Sequence, residues 1–392
     1  MIRPLRLTNR LPLVYPDSIQ MQRSDPMAGK QRSGMLDLVR FILSVAVVMV
    51  HLIDHSIPSL TILRGGTIAV EFFFILSGFL LASSTDRMDK SLPVSESTWH
   101  VMKRKVCSIY PTWLAAFLVI IAWQLFVNTI GLKDLLRQVE ESTTTFLMIS
   151  QLGMYDKLVI SYSWYIPVML LCTLMLFPVL YRHGKTFTYT VAPLVTLFGF
   201  AHLFHSFGKL YTLQSEWLGF TWAATVRGLS EMCLGVIAYA GSRRLTVRLN
   251  GRLTAAGRVL FTVIEAVALL YGMRYVFTHA RNSVHLGVVL CFAVFIAMTY
   301  TGMSYTSQFV RGRFFNWLGR YSLSLYLAQW IPVTLLKERA KTMSPASALF
   351  QLITLALASG LVVHAGAWVL RKLFHLCKDK LEHVCIRTEE AA

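Results

Sequence analysis

Apolar positions in this chain come in unbroken runs of about 20 residues, the length at which an α-helix crosses a bilayer core about 30 Å thick. Ten such runs are centred near residues 46, 75, 116, 172, 196, 231, 266, 293, 325 and 360, with the polar residues gathered between them. The pattern predicts an all-α, polytopic integral membrane protein of about ten transmembrane helices, whose even count returns both termini to one side. The first run starts only near Met35, too late and too long for a cleavable signal peptide. Residues 1–34, polar and rich in arginine and proline, are read as a cytosolic, disordered leader, 35–375 as the membrane domain and 376–392 as a cytosolic tail. No repeat of 20 to 50 residues interrupts this organisation.

Composition agrees with the pattern. Of the 392 residues 55% are hydrophobic and 15% charged, whereas a soluble domain carries about a quarter charged. The net charge of +18 suggests a nucleic-acid partner only until the cations are placed. With the N-terminus inside, 26 of the 38 Lys and Arg residues fall on the cytosolic side, 10 on the other, and Arg40 and Arg227 within spans. Topology accounts for the excess, and nucleic acid drops out as a partner. The longest outer loop, 128–163, carries Asp134, Glu140, Glu141 and Asp156. The six cysteines, Cys107, Cys172, Cys233, Cys291, Cys377 and Cys385, stand singly, without the CxxC pairing of a zinc or redox site. The chain has no P-loop, GxGxxG or GxSxG, and no histidine followed five positions later by aspartate.

Ionisable residues inside a span cost about 2.5–3.5 kcal/mol each on insertion scales, which makes them functional candidates. The first span carries Asp37, Arg40 and His51, then Asp54 and His55 at its outer end. Arg40 and His51 share one helical face about 16 Å apart, with His51 near the midplane, and Asp37 lies one turn before Arg40 and can pair with it. A snorkelling arginine and a neutral packing histidine are the alternative reading. Glu71 opens the second span, placed to orient a histidine, meet a substrate or sit at the interface. Arg227 and Glu231, four residues apart, are expected to neutralise one another. His51, Asp54 and His55 have the spacing of a helical metal face but too few ligands, and no metal is expected. His202 and His205 read as interfacial, and Phe72, Phe73 and Phe74 as packing or lipid surface.

In order along the chain, the motifs resemble those of membrane-bound acyltransferase family 3. "LDLVRFILSVAVVMVHL" resembles its first span, a basic residue and a histidine separated by ten positions, here Arg40 and His51. "VEFFFILSGFLLA" resembles the second-span signature at Phe73, Phe74, Ser77, Gly78 and Phe79. "KRKVCSIYPTW" resembles the basic start of the third, through Arg104, Lys105, Ile109, Tyr110, Pro111 and Trp113, with Ser108 standing where the pattern has a second arginine. "SYSWYIPVMLL", at Trp164 and Tyr165, "RGLSEMCLGVIAY" and "NWLGRYSLSLYLAQW" resemble later segments.

The resemblance implies a cell-membrane O-acyltransferase, most often an O-acetyltransferase. It takes an acyl group from cytosolic acyl-CoA, typically acetyl-CoA, to a hydroxyl of a cell-surface or exported carbohydrate such as an exopolysaccharide, capsule or O-antigen. His51 is then the base or the acyl relay, with Arg40 and Glu71 beside it and Asp37 and Ser77 in support. Arg104, Lys105 and Tyr110 fall to the donor, and Trp164 and Tyr165 to the acyl or sugar path. Phosphate binding suits the cations of "KRK" at a helix start. A proton-coupled transporter uses midplane histidine and buried acids too, and a sensory or scaffold membrane protein is a third class. Acetyl against succinyl transfer, the acceptor glycan and the oligomeric state stay open.

Overall fold

A computed structural model describes residues 33–56, 63–127, 131–149, 164–210, 216–249, 251–278 and 286–390. The leader before residue 33 and, within the 128–163 loop, residues 128–130 and 150–163, Asp156 among them, therefore lie outside the described residues. Among the described residues every regular element is a helix, and the only bridge pairs Trp217 with Trp222.

The helices are α1 (Gly34–Ser56), α2 (Ala69–Asp86), α3 (Val94–Phe126), α4 (Leu132–Glu141), α5 (Tyr165–Thr186) and α6 (Ala192–Phe207). They continue as α7 (Ala223–Leu249), α8 (Ala255–Thr278), α9 (Leu286–Thr301), α10 (Arg313–Ala328), α11 (Trp330–Leu336) and α12 (Pro345–Glu390). Their ends follow local chemistry. Pro93 precedes α3 in an extended conformation, Gly208 closes α6 in the left-handed region with its N–H on the Phe204 carbonyl, and Pro111 and Pro178 sit inside α3 and α5. Internal prolines are tolerated where neighbouring helices cover the freed carbonyl. Between α5 and α6 the chain kinks at His183 (φ −123°, ψ 39°) and makes one π-type turn over Phe187–Val191.

Packing closes the helices into a ring. α1 lies along α10, α10 on α12, α12 on α3 and α3 on α5; α2 packs on α7, and α7 on α5, α6 and α9. Against α8 and α1 rests the short 3-10 turn Arg64–Ile68 that leads into α2. The tightest crossing is α2 on α7. A Cβ at Gly78 would overlap the Met232 carbonyl oxygen, and one at Gly235 the Ile75 carbonyl oxygen, so the two backbones touch because both residues lack a side chain. On the far side Gly319 of α10 leaves room for the Asp37 carboxylate of α1.

Among the described residues six helical stretches are long and apolar enough to cross a membrane: Gly34–His51, Arg64–Asp86, Val94–Phe126, Tyr165–Phe207, Ala255–Thr278 and Pro345–Phe374. The expectation of ten spans is not met as a count, although each of the ten centres falls within a helix. The shortfall has physical reasons. α5 and α6 form one continuous stretch, α7 carries ionic residues through its length, and α9 and α10 have only 16 residues each. The sidedness of the termini rests on the charge distribution alone. Within the loop expected at 128–163, α4 repeats apolar residues at Leu132, Leu135, Leu136 and Val139, and Leu136 and Val139 are exposed, the pattern of a helix lying on an interface.

The α2/α7 crossing makes a testable claim. Gly235→Ala destabilises the protein by about 1–3 kcal/mol, the usual cost of overpacking. Gly241→Ala, on the same helix with nothing near its Cβ position, is neutral or gains up to about 1 kcal/mol. Thermal unfolding in detergent reads both, and equal stabilities would remove the close crossing.

Candidate active site

Two features meet inside the ring, a buried ionic cluster on α2 and α7 and a large cavity at the end where α1 begins. Arg227 of α7 is fully buried and donates through Nη2 to Oε2 of Glu71 on α2, while its Nε lies 3.5 Å from Oε1 of Glu231 one turn on. Sequence spacing foresaw the Arg227–Glu231 pair. It did not foresee that Glu71, 156 residues away, is the closer partner. Stripping these groups of water costs several kcal/mol per ion, and only mutual pairing offsets it. Trp164 covers the guanidinium, with Cζ 5.6 Å from the ring centroid. Glu71 Oε1 and both Glu231 oxygens make no hydrogen bond among the described residues.

Beside the cluster, the Tyr165 hydroxyl bonds Ser77 Oγ at 2.8 Å and donates to the Phe73 carbonyl at 3.0 Å. The Tyr165 ring packs 4.6 Å from Phe74, which also meets Trp164 at 6.1 Å. Trp164 and Tyr165 thus brace α2 and the ionic cluster. The three phenylalanines expected to serve packing do so, with Phe72 against Phe292 at 5.5 Å.

The cavity encloses about 1080 Å³ between α1, α2, α3, α9, α10 and α12, at the upper limit of the roughly 300–1,000 Å³ usual for ligand pockets. Its charged lining is five arginines, Arg40, Arg87, Arg311, Arg320 and Arg371, and one acid, Asp37. Arg40 is held by Asp37 at 3.2 Å, as expected from their spacing. Arg87 and Arg311 each spend Nε on a backbone carbonyl of their own segment, Ser83 and Ser307. Arg371 donates to Thr112 Oγ1 at 2.9 Å. These bonds fix the guanidinium planes and leave further N–H donors for an anion. Leu76, Leu80 and Leu323 give the cavity apolar walls.

The other expected residues take distinct places. His51 is half-buried on α1, three turns beyond Arg40, and is not among the cavity-lining residues. The side chains of Asp54 and His55 lie outside the described residues, and among the described residues no group of three His, Cys, Asp or Glu side chains could hold a metal. Arg104 and Lys105 do not line the cavity; Cys107 and Ser108 do. Arg104 is exposed one turn back from Ser108 on the same face of α3, whereas Lys105 turns to α5 and meets Met169 Sδ at 3.3 Å. Tyr110 meets Phe146 edge to face at 5.8 Å.

Sequence reasoning missed the convergence of Arg87, Arg311, Arg320 and Arg371, which it counted only as topology determinants. It also missed Glu265, a buried acid in the run centred at 266 that accepts bonds from Thr299 Oγ1 at 2.7 Å and Thr306 Oγ1 at 2.6 Å. An acid inside an apolar run was the signal available.

Arginine-rich cavity, ionic cluster and motif-bearing helices lie within the region that comparison with known proteins identifies. The family model described as "Acyltransferase domain", of acyltransferase family 3, matches residues 34–372, most of the chain. The protein belongs to this family. It is also similar to an "Amino-acid racemase" from Enterococcus faecalis, 24% identical over 233 residues that cover 55% of this chain and 30% of the relative. The chain thus spans less than a third of that relative's length. No solved structure matches.

The ionic cluster predicts an asymmetry. Arg227→Met leaves two buried acids facing each other and costs about 3–5 kcal/mol. Glu231→Gln leaves a one-to-one pair with Glu71 and costs much less. Unfolding in detergent measures both, and an Arg227→Met protein as stable as wild type would refute the pairing.

Proposed function

We propose that the protein is an integral-membrane O-acyltransferase of the cell membrane that moves an acyl group, acetyl in the first instance, from cytosolic acyl-CoA to a carbohydrate hydroxyl. The observation that carries the reading is the arginine-lined cavity. It is large, it opens at the end of the bundle rich in cations, and its lining reaches Arg40 on the helix that also carries His51. A CoA donor combines several phosphate charges with a slender apolar arm. The guanidinium forks suit the phosphates and the leucine walls suit the arm.

In this reading the donor phosphates meet Arg87, Arg311, Arg320 and Arg371, with Arg104 one turn outside, and Arg40 orients the thioester end. His51 takes the proton of the acceptor hydroxyl while the hydroxyl oxygen attacks the thioester carbonyl. The C–S bond then breaks, and the proton passes to the departing thiolate. The relay form has His51 accept the acyl group on its ring nitrogen and pass it on in a second step. Glu71, held by Arg227, serves to fix α2 beside α7. The acceptor is an exported or surface carbohydrate, for which the family resemblance is the support. The racemase name is not carried over, since so little of that relative is covered.

The test is acyl transfer from labelled acetyl-CoA to purified polysaccharide in proteoliposomes. His51→Ala folds but loses about 10²–10⁴-fold in turnover. Arg311→Gln with Arg320→Gln raises the donor KM with kcat little changed, because phosphate contacts act mainly as uniform binding. Full turnover in His51→Ala would overturn the assigned base, and proton-coupled solute uptake without transfer would make the protein a transporter.

A further inference from the structure

A second basic cleft lies across α2 from the large cavity. It encloses about 410 Å³ between the ends of α2, α5 and α7 and the π-type turn that joins α5 to α6. Its charged lining is five cations, Lys90, Lys185, Arg243, Arg244 and Arg248, against one acid, Asp86. That acid is already occupied. Asp86 accepts from the Tyr239 hydroxyl at 2.8 Å and pairs with Arg243 at 3.2 Å. Arg244 lies over the Tyr189 ring, 4.3 Å from its centroid. Lys90, Lys185 and Arg248 make no ion pair or hydrogen bond among the described residues.

Three cations facing one cleft repel one another, and the fold holds them there. Lys90 reaches across from the α2–α3 connection to within 3.8 Å of where a Cβ of Gly184 would sit, beside Lys185. The break at His183 and the π-type turn carry Thr188 and Tyr189 to the same cleft; such turns recur at functional sites. Retention of cations on the cytosolic side accounts for basic residues at this end of the bundle. It does not account for their convergence around a pocket whose one acid is already paired with Arg243.

The cleft is separate from the donor cavity. The wall between them is a cluster of three rings, Tyr239, which lines the cleft, Tyr300, which lines the cavity, and Phe79, with centroids 4.8 to 6.1 Å apart. One flank is apolar, with Val247 exposed and Leu180, Ala240 and Ala82 lining the wall. A soluble phosphate has no use for such a flank. A phospholipid needs both parts, cations for the headgroup and an apolar flank for its chains, and basic pockets between membrane helices take anionic headgroups in this way. We propose that the cleft of Lys90, Lys185 and Arg248 binds the phosphate headgroup of an anionic phospholipid. The site stands whether or not the large cavity holds acyl-CoA.

The full chain in a neutral detergent, titrated with short-chain phosphatidylglycerol or phosphatidylcholine, tests this by native mass spectrometry. Saturable binding of phosphatidylglycerol and none of phosphatidylcholine is expected. In the variant carrying Lys90→Gln, Lys185→Gln and Arg248→Gln, affinity falls by roughly a hundredfold, the order that three interfacial cations contribute. Lys185→Gln alone, at an exposed position, gives a partial loss and serves if the triple variant does not fold. Sodium pyrophosphate or CoA at millimolar concentration leaves the bound lipid in place. Unchanged phosphatidylglycerol affinity in the variants would overturn the site. Displacement by pyrophosphate would make it a site for soluble phosphate, and displacement by CoA alone would return it to the donor; either result refutes the lipid assignment.

Discussion

The bundle is organised around one buried guanidinium. Arg227 has no access to water, and the low dielectric around it makes an unpaired charge there prohibitive. Its partners therefore have to come to it, and they come from two directions: Glu231 from its own helix and Glu71 from α2. Helices α2 and α7 are consequently fixed in rotation as well as in separation. The glycines at 78 and 235 let the backbones close to contact while the ion pair sets which faces meet. Tyr165, hydrogen-bonded to Ser77 and Phe73, and Trp164 over Arg227 seal the same corner from α5. Lipid tails offer such helices no hydrophobic reason to associate, so close packing and buried polar bonds carry the association.

With α2 immobilised, its C-terminal half becomes a partition. Ser83 and Arg87 face the large cavity, Ala82, Thr85 and Asp86 face the smaller cleft, and both compartments are basic. The partition is polar at its edges and aromatic at its centre. Tyr300 bonds Ser83 at 2.6 Å on one side, Tyr239 bonds Asp86 on the other, and Phe79 packs against both rings. Two anion-attracting sites can therefore sit back to back without sharing a cation. Hydroxyls anchored to α2 do the separating, and no loop is required.

The run lengths made the helical class and the helix positions legible, because hydrophobicity of about 20 residues has few other physical solutions. The number of spans was not, since that depends on where a run divides. Phe187–Val191 joins α5 to α6 without a polar interval, and α7 carries Arg227 and Glu231 inside and a basic end outside. The Asp37–Arg40 pair could be read because it is local, whereas Glu71–Arg227 could not, because nothing in spacing relates residues on different helices. The same holds for the cavity. Arg87, Arg311, Arg320 and Arg371 lie in separate segments of the chain, and each by itself looks like a cation flanking a span.

That last difficulty resolves the one departure from the family pattern in the third span. Ser108 stands where a second arginine is expected, which on sequence grounds weakens donor binding by α3. In the folded chain Ser108 does line the cavity, so the position is a cavity position. The serine leaves room beside it, and Arg371 comes in from the adjoining helix α12, donating to Thr112, one helical turn beyond Ser108 on the same face of α3. An arginine at 108 and one at 371 would crowd two like charges into that corner. A guanidinium does reach that corner from α12, 259 residues after the threonine that holds it. A motif missing one residue from its own helix is therefore compatible with an intact charge pattern, and the charge lining of the cavity describes this site better than the linear motif does.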